Sequence, residues 1–577
     1  MSRVIYVCLN EHKRGGFSKR NLELLSSRLA PDNITASPPK IVDNEGIVYC
    51  IFSPSNAVLA TNSSVCLGNI IGREAKWWEP LQGYPDGSYA LFRGNGEYVE
   101  VVSDVVASRT IWYFKNDDVF ISSTSQRAII FFLRSFVFNE AVIPWVLSTG
   151  ALGPAHSWDS RIKSLPADSS IVLDRSSWRL NTAIGSCSFS TLDRSDEEHG
   201  SLLRQALTDT FEPIKLDYSK WTLPLSGGYD SRGILCMLKE TGKDIKGLKT
   251  VTWGVRSALD EKDNDAYVAK SLADHFNLQH KYYETDVSDE PLEDIFSRFL
   301  VCGEGRIDHI PGYMDGFKIW KTLFESGTHG IIRGDEGFGW SSVLSPLEVR
   351  RKIGIPLWSD FSNLRSLEKF GFSKQELPTN LLRREGESLE AWRDRLYQQW
   401  RLPVVMAALN DLKLPYVEIM NPLLSRRIIY QVRRVPDHLR TYKRLYKMIV
   451  RSLSPKVDFA KYPAIHSSQD ILRSRRVVEL LEAELSSAYA GSILPVEFSD
   501  YVLDRLEVID ETNRKIRNFR ARRTIRAAVK QYLPIWRRNE VRNSAVQQEI
   551  DFNVVAFRAY TISRMNKMLA EDAESLA

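Results

Sequence analysis

The fold class that the sequence predicts is mixed: an α+β first part of layered strands, then an α/β part with a parallel sheet and a helical C-terminal half. Three observations lead to this prediction. Up to about residue 195, alternating or β-branched runs are separated by turn residues. From about residue 196, strands and helices alternate, and beyond about residue 380 helical periodicity dominates. With 577 residues, the chain should form two to four domains.

The first part is predicted to be rich in strands, with two helices between them. The helices are expected over Gln126–Phe136 and Ile143–Ser148. The strand runs are Val4–Val7, Ile47–Phe52, Tyr98–Val102, Val119–Ser122 and Ile171–Leu173.

The second part has the strand and helix order of βαβ units, which places its strands in a parallel sheet. A polar stretch at Arg194 precedes it, and its first helix begins around His199. The expected strands are Trp221–Leu225, Lys249–Trp253, Lys281–Tyr283 and His329–Arg333. The expected helices are Asp230–Lys239, Asp263–Phe276, one after Pro291, and then Leu389–Trp400, Tyr442–Leu453, Ile471–Ser487 and Val502–Tyr532. We therefore expect domains at 1–195, 196–470 and 471–577.

The composition is that of an ordinary globular protein, with 43% hydrophobic and 26% charged residues. None of the six cysteines forms a C-x-x-C pair, so a zinc site or disulfide framework is not expected. No signal peptide and no apolar run of the roughly 20 residues needed to span a membrane is visible, and we expect a cytoplasmic protein without a membrane partner. The net charge is +5.

Basic residues concentrate toward the C-terminus, in Arg514–Arg526 and in the Trp536-Arg-Arg run. A solvated helix face is the favoured interpretation. The alternative is a contact with an acidic peptide or partner protein, and nucleic acid is the less expected partner.

The most informative segment is Ser226-Gly-Gly-Tyr-Asp-Ser231, between an apolar strand and a helix. Two glycines let the backbone approach a ligand closely, and free N–H groups at a helix start favour an anion. Ser226 and Ser231 add hydroxyl donors, while Asp230 suggests a bridging Mg²⁺. A plain glycine turn is the alternative for the two glycines alone. Walker A spacing is absent, so an ordinary P-loop site is excluded.

This string resembles the pyrophosphate loop of the asparagine synthetase family, whose synthetase domain has an adenine nucleotide α-hydrolase fold. Arg333-Gly-Asp335-Glu336-Gly-Phe-Gly resembles a second family string, whose aspartate binds Mg²⁺. Thr250–Gly254, Asn421–Leu424 and Lys443–Val450 resemble later family segments in the same order. Asp104–Tyr113 and Ser157–Pro166 resemble a class II glutamine amidotransferase-like domain, which implies an Ntn-hydrolase-like layered β fold for the first part.

The resemblance implies ATP and Mg²⁺ as cofactors, with Asp230 and Asp335 as metal ligands. It places catalytic roles at Asp335, Glu336 and Lys461, the register at Lys461 being open by one residue; an ordinary surface lysine is the alternative there. The nucleotide contacts it implies are Leu225, Ser226, Gly227, Gly228, Asp230, Ser231, Val251, Gly254 and Gly330.

Three departures from the family pattern change the expected reaction. Ser2 stands where glutamine-hydrolysing members carry a nucleophilic cysteine, and Cys8 is predicted to be a core residue. Ile332 and Arg333 occupy the stretch where asparagine synthetases carry a glutamate, and Arg232 replaces a small residue. The pattern is closer in character to glutaminase-inactive members such as β-lactam synthetases and lasso-peptide cyclases.

The leading hypothesis is an ATP-dependent carbon–nitrogen ligase that activates a carboxylate as acyl-AMP and passes it to an amine, without glutaminase activity. The product would be a peptide macrolactam or a small-molecule amide. One alternative is a glutamine- or ammonia-dependent asparagine synthase-like amidotransferase. A second is a catalytically inactive nucleotide-binding scaffold protein. The intact Ser226–Ser231 string speaks against the scaffold.

Overall fold

A computed structural model describes residues 2–10, 19–53, 57–72, 76–464, 471–509 and 549–575. The basic stretch Arg514–Arg526 and the Trp536-Arg-Arg run lie outside these ranges. Within them, none of the helices is long and apolar enough to cross a membrane.

The first part contains two six-stranded antiparallel sheets, as the layered β prediction requires. One has the order β10-β8-β9-β1-β3-β2 and the other β12-β11-β7-β6-β5-β4. The strands are β1 Arg3–Leu9, β2 Lys40–Asn44, β3 Ile47–Phe52, β4 Val58–Ala60, β5 Val65–Ile71, β6 Asp86–Gly94, β7 Tyr98–Ser103, β8 Trp112–Lys115, β9 Val119–Ser123, β10 Lys163–Ser164, β11 Ser169–Asp174 and β12 Arg179–Ile184.

Strand β1 shows why the sequence folds into layers, because alternate residues face opposite sides of a sheet. Val4, Tyr6 and Cys8 belong to the apolar cluster shared by the two sheets. Ile5 and Val7 face the other way, into the larger cluster that includes helical residues. The prediction that Cys8 is a core residue is confirmed, since it is fully buried.

Three helices cover this larger cluster: α1 Lys19–Leu29, α2 Gln126–Leu133 and α3 Val142–Thr149. Ser125 caps α2 by accepting a hydrogen bond from the Ala128 amide. The predicted extension of α2 to Phe136 is wrong, because Arg134 adopts a left-handed conformation with φ of 51° and ends the helix.

The second part is built on a five-stranded parallel sheet with the order β15-β14-β13-β16-β17. Its strands are β13 Trp221–Pro224, β14 Lys249–Gly254, β15 His280–Glu284, β16 Gly330–Ile332 and β17 Glu418–Met420. The first four confirm the predicted strands to within one or two residues. The edge strand β17 was not predicted, since three residues give too short a pattern to recognise.

The helices of this part follow the predicted alternation. They are α4 Asp196–Phe211, α5 Tyr229–Glu240, α6 Asp265–His275, α7 Leu292–Gly303, α8 Lys318–Glu325, α9 Pro346–Ile353, α10 Leu389–Leu396, α11 Ala407–Asp411, α12 Arg426–Val432, α13 Asp437–Arg440, α14 Arg444–Leu453, α15 Arg475–Leu485, α16 Ala488–Ile493, α17 Val496–Leu503 and α18 Phe552–Glu574. A capping box at Ser195 and Glu198 starts α4 at Asp196, three residues before His199.

Four predicted helices have different bounds. The helix predicted over Ile471–Ser487 starts only at Arg475, because Ser474 has an extended backbone and is its N-cap. The segment after α10 is a π-helix over Tyr397–Met406 containing Pro403, which has no backbone N–H to give. The predicted helix from Tyr442 starts at Arg444, because Tyr442 and Lys443 have φ of 60° and 56°. Of the helix predicted from Val502, the described part is wrong after Leu503: Val502 and Leu503 are the last residues of α17, and residues 504–509 are not helical.

The last helix, α18, packs on the first part of the chain. Asp572, fully buried, forms ion pairs with Arg28 and Arg127, at 2.7 and 2.6 Å. Arg558 pairs with Asp308 at 2.7 Å and donates to the Leu147 carbonyl. The C-terminal helix therefore links elements that are far apart in sequence.

Candidate functional site

The candidate site lies at the carboxyl edge of the parallel sheet. The neighbouring strands β13 and β16 end at Pro224 and Ile332, and each is followed directly by one of the two recognised strings. Their loops touch: a Cβ built on Gly334 would lie 3.1 Å from the Asp230 Cβ. Only a residue without a side chain allows this approach without displacing Asp230.

The Ser226–Ser231 loop holds its shape by internal hydrogen bonds. The Ser226 amide donates to the Ser231 hydroxyl at 2.9 Å, and the two hydroxyl oxygens are 3.1 Å apart. Gly228 is the N-cap of α5 in an extended conformation, and no side chain of the described residues caps the helix. A twelve-residue helix whose first amides have no capping side chain is suited to binding phosphate oxygens.

A lysine joins the two loops. The ammonium group of Lys443 lies 2.9 Å from Asp230 and 2.8 Å from Glu336. Burial alone would lower the pKa of Lys443, but the carboxylates of Glu336 and Asp230 outweigh it and raise that pKa above its ordinary value. The site therefore contains a firmly charged cation between two carboxylates.

Asp335 has its own partners. Arg333 pairs with it at 2.9 Å, and the Asn410 amide nitrogen lies 3.4 Å from its second oxygen. Asn410 is 3% exposed, and among the described residues its side-chain oxygen has no hydrogen-bond partner. A buried amide oxygen without a partner is costly unless a ligand or ion uses it.

The side chains of this site include donors of the kind that bind Mg²⁺, the ion that the resemblance implies. Carboxylate and amide oxygens are the donors that Mg²⁺ prefers, and Asp230, Asp335 and the unpartnered Asn410 oxygen supply them. In the described residues no group of three His, Cys, Asp or Glu side chains is arranged to hold a metal ion. The oxygen donors fit Mg²⁺. In this structure, however, Asp230 forms an ion pair with Lys443 and Asp335 forms one with Arg333.

A covering segment, residues 457–464, packs over the loop. Its Ala460 amide donates to the Gly227 carbonyl at 3.0 Å, and a Cβ on Gly227 would lie 2.3 Å from the Ala460 Cβ. Arg232 donates to the Val457 and Asp458 carbonyls at 2.8 and 2.6 Å. The arginine that departs from the family pattern therefore anchors the covering segment to α5.

Lys461 belongs to this covering segment, but its side chain points outward. Its ammonium group pairs with Asp263 at 2.9 Å, and 63% of the side chain is exposed. Its catalytic role stays a prediction.

The structure brings together most of the predicted nucleotide contacts. The Leu225 amide donates to the Val251 carbonyl at 2.8 Å, which fixes the loop against β14. Gly254, at the end of β14, lies against the Ala464 carbonyl of the covering segment. Gly330 is placed elsewhere, at the amino end of β16, where a Cβ would lie 2.6 Å from the Trp221 ring. It is not at the carboxyl edge, because β16 is only three residues long and the edge begins after Ile332.

Sequence reasoning did not assign Lys443, Arg333 or Asn410 to the site. Lys443 had a signal, its place in a segment resembling a family helix. Asn410 had none, since it follows a π-helix some 75 residues after Asp335.

In the first part, Ser2 is buried at the start of β1, and its hydroxyl donates to the Ser53 carbonyl at 3.2 Å. The neighbouring Arg3 donates to the Cys302 carbonyl at 2.6 Å and pairs with Glu304 at 3.5 Å. The start of β1 is thus held against the end of α7.

Residues 203–312 match the family model described as Asparagine synthase. The match includes the Ser226–Ser231 loop and strands β13 to β15, and it supports an ATP-dependent synthetase or ligase. No curated protein matches the chain.

Two solved structures are similar to parts of the chain. One is a U34-tRNA thiolase from Methanococcus maripaludis, at 12% identity and TM-score 0.23, covering 56% of this chain and 91% of its own. The other is glutamine phosphoribosylpyrophosphate amidotransferase from B. subtilis, at 8% identity and TM-score 0.17, covering 48% of this chain and 65% of its own.

Proposed function

We propose that the chain is an ATP-dependent ligase that activates a carboxylate as an acyl-adenylate, releases pyrophosphate and joins the acyl group to an amine. One observation carries this proposal: the Ser226–Ser231 loop presents an uncapped helix start beside Asp230, Glu336 and Lys443 at one sheet edge. An anion site beside clustered carboxylates suits a metal-bound triphosphate better than a bare anion, which those carboxylates would repel.

The loop would bind the phosphates that leave as pyrophosphate. The first amides of α5 and the hydroxyls of Ser226 and Ser231 are the donors, already placed by the loop's own hydrogen bonds. Donors fixed before binding need no reorganisation during the reaction, which favours catalysis. Mg²⁺, held by Asp230 and Asp335, would neutralise charge on the triphosphate.

Lys443 would change partners when the nucleotide binds. Between two carboxylates its charge is satisfied, and a triphosphate offers a stronger anion at the same place. A lysine released toward the phosphates would stabilise the charge that develops as the adenylate forms. Lys461 is proposed as a second cation, acting when the amine attacks.

We propose that the nitrogen comes from an amine or ammonia and not from glutamine. Ser2 lacks the thiol that glutamine-hydrolysing members use, and its hydroxyl is already bound to the Ser53 carbonyl. The six cysteines are all buried, and burial raises the pKa of Cys8 to about 11, which disfavours a reactive thiolate. The first part then serves as a scaffold. The product would be a peptide macrolactam or a small-molecule amide made in the cytoplasm.

Substrate-dependent exchange of labelled pyrophosphate into ATP tests the proposal. Purified protein is incubated with Mg²⁺-ATP, labelled pyrophosphate and pools of carboxylates, including amino acids and acidic peptides. The proposal expects label in ATP only when a pool contains the substrate, and no exchange in Asp335→Asn. Release of ADP and phosphate with every active pool would contradict it. Tight ATP binding with no turnover in any pool would favour the inactive scaffold instead.

A further inference from the structure

An open groove of about 730 Å³ lies beside the candidate site, on the solvent side of α14. Arg444, Lys447, Met448 and Arg451 line it, at positions i, i+3, i+4 and i+7, which is one face of a helix. The opposite face of α14 is buried, with Leu445 and Ile449 in the core. The groove therefore has a rigid helical wall with three basic residues.

The groove adjoins the phosphate-binding loop through Tyr229. Arg451 donates to the Tyr229 hydroxyl at 2.9 Å, and the Lys447 ammonium lies 5.1 Å from the centre of its ring. The Tyr229 ring also stacks on Phe459 of the covering segment, with centroids 4.1 Å apart. Two residues of the groove wall therefore contact Tyr229, a residue of the Ser226–Ser231 loop, and a ligand in the groove would lie close to that loop.

The basic wall is not neutralised by the protein. Among the described residues, the ion pairs at this end of α14 belong to Lys443, and Arg444, Lys447 and Arg451 form none. An ordinary solvated helix face would also leave lysines and arginines unpaired. Two features distinguish this face from an ordinary solvated surface. It lines a groove, and two large and largely apolar side chains are exposed in that groove, Tyr442 at 54% and Met448 at 49%.

The acidic residues that line the groove indicate which class of anion it can bind. Glu390 also lines the groove, whereas the Asp437 carboxylate is occupied by Arg440 and the Ser388 hydroxyl. Glu390 repels any anion placed against it, and a nucleic acid carries a negative charge at every phosphate, so no part of its backbone avoids this repulsion. An acidic peptide has amide donors that Glu390 can accept and apolar side chains that Met448 can contact.

We propose that this groove binds an acidic, partly apolar peptide segment of the substrate, so that a neighbouring reactive group reaches the adenylation site. The inference rests on the proposed ligase function and names its substrate class. The chain's own basic stretch, Arg514–Arg526, is not a suitable occupant, because its charge has the same sign as the groove.

The test is fluorescence anisotropy of a labelled nine-residue probe of glutamates with one leucine and one phenylalanine, using the full chain without ATP. We expect saturable binding that weakens at higher salt, and about tenfold weaker binding by Arg444→Glu and by Met448→Asp. Arg476→Glu, at an exposed arginine of α15, is the matched control and should bind like wild type. Circular dichroism and melting temperature check that each variant is folded.

Each outcome decides the inference separately from the ligase proposal, because the binding assay contains no nucleotide. Wild-type binding by Arg444→Glu and Met448→Asp together overturns the groove assignment. Stronger binding of a single-stranded oligouridine than of the peptide also overturns it, in favour of nucleic acid. Absence of probe binding in a protein that still exchanges pyrophosphate removes the groove and leaves the ligase in place. Probe binding without exchange in any pool supports the groove and removes the ligase.

Discussion

The ammonium group of Lys443 lies 2.8 Å from the Glu336 carboxylate, and the same group reaches Asp230 at 2.9 Å. It enters from the start of α14, where Lys443 and the preceding Tyr442 both have positive φ. A left-handed conformation costs a residue with a side chain about 1–2 kcal/mol. The strained backbone at Tyr442 and Lys443 places the Lys443 side chain between the two carboxylates. Strained backbone of this kind is common at functional sites.

Loss of this lysine should stop adenylation. Without the cation, Asp230 and Glu336 repel each other and the triphosphate, and the developing charge loses a stabilising partner. We expect Lys443→Ala to reduce AMP formation by about 10²–10³-fold. AMP is measured by chromatography under saturating ATP. Lys456→Ala, at an exposed lysine just before the covering segment, should keep wild-type turnover. Equal turnover in both variants would rule out the role of Lys443.

The two proposed metal ligands should both be required. Asp230→Asn and Asp335→Asn keep the side-chain shape but remove a charge that holds Mg²⁺. Pyrophosphate release should be lost in each variant, with an unchanged circular dichroism spectrum. Asp274→Asn, on the exposed face of α6, serves as control. Full activity in either site variant would end the metal assignment.

Lys461 tests whether the covering segment contributes to the second half-reaction. We expect Lys461→Ala to slow amide formation by about 10²–10³-fold while ATP affinity stays nearly unchanged, because the cation would act on the acyl carbonyl oxygen. The two readouts are product formation and equilibrium binding of ATP. If Lys461→Ala matches wild type while Lys443→Ala is inactive, the role of catalytic lysine belongs to Lys443 alone.

Glutamine should not serve as nitrogen donor. Purified protein with Mg²⁺-ATP and glutamine is expected to release no glutamate above the rate of buffer, because Ser2 provides no thiol nucleophile. Enzymatic glutamate detection measures this directly. Steady glutamate formation that disappears in Ser2→Ala would show that the first part hydrolyses glutamine through serine.

The parallel sheet should lose stability in acid through His280, which is hydrogen-bonded to Thr250 at 2.9 Å. Burial lowers the pKa of His280 to about 4 in the folded chain, below the ordinary value near 6.5. The unfolded chain therefore binds this proton first, and the stabilisation present above about pH 6.5 is lost as pH falls toward 4.

The shift corresponds to about 2–3 kcal/mol by pH 4.5. His280→Gln should consequently lose less stability between pH 7.5 and 4.5 than wild type, as measured by urea midpoints. His275→Gln, at an exposed histidine of α6, should follow the wild-type profile. An identical pH dependence in wild type and His280→Gln would contradict the assignment.

The elements that the sequence predicted best are those with strong periodicity and clear boundaries. The run around β13 and the glycines after it specify a strand, a turn and a helix within a dozen residues, and α5 begins one residue from its predicted start. Alternation in Val4–Cys8 likewise specified two buried faces, because a strand residue faces one layer and its neighbour the other.

The features that could not be predicted from the sequence depend on contacts between residues that are distant along the chain. Asn410 reaches Asp335 only because a π-helix and the edge strand β17 bring the helical half back to the sheet. The predicted start of α14, Tyr442, is two residues too early, because the periodicity of apolar residues does not reveal that Tyr442 has a left-handed backbone. The resemblance implied that Gly330 contacts the nucleotide. Gly330 is instead the first residue of the three-residue strand β16, and so lies at the amino end of that strand.

Acyl-adenylate formation is tested most directly by trapping the intermediate with hydroxylamine. Hydroxylamine intercepts an acyl-adenylate as a hydroxamate whatever the natural amine is. Protein, Mg²⁺-ATP, hydroxylamine and an active carboxylate pool are combined, and hydroxamate, AMP and ADP are measured together. If an acyl-adenylate forms, hydroxamate and AMP appear in equal amounts, and Asp335→Asn forms neither. ADP in place of AMP, or AMP without hydroxamate, would contradict acyl-adenylate formation.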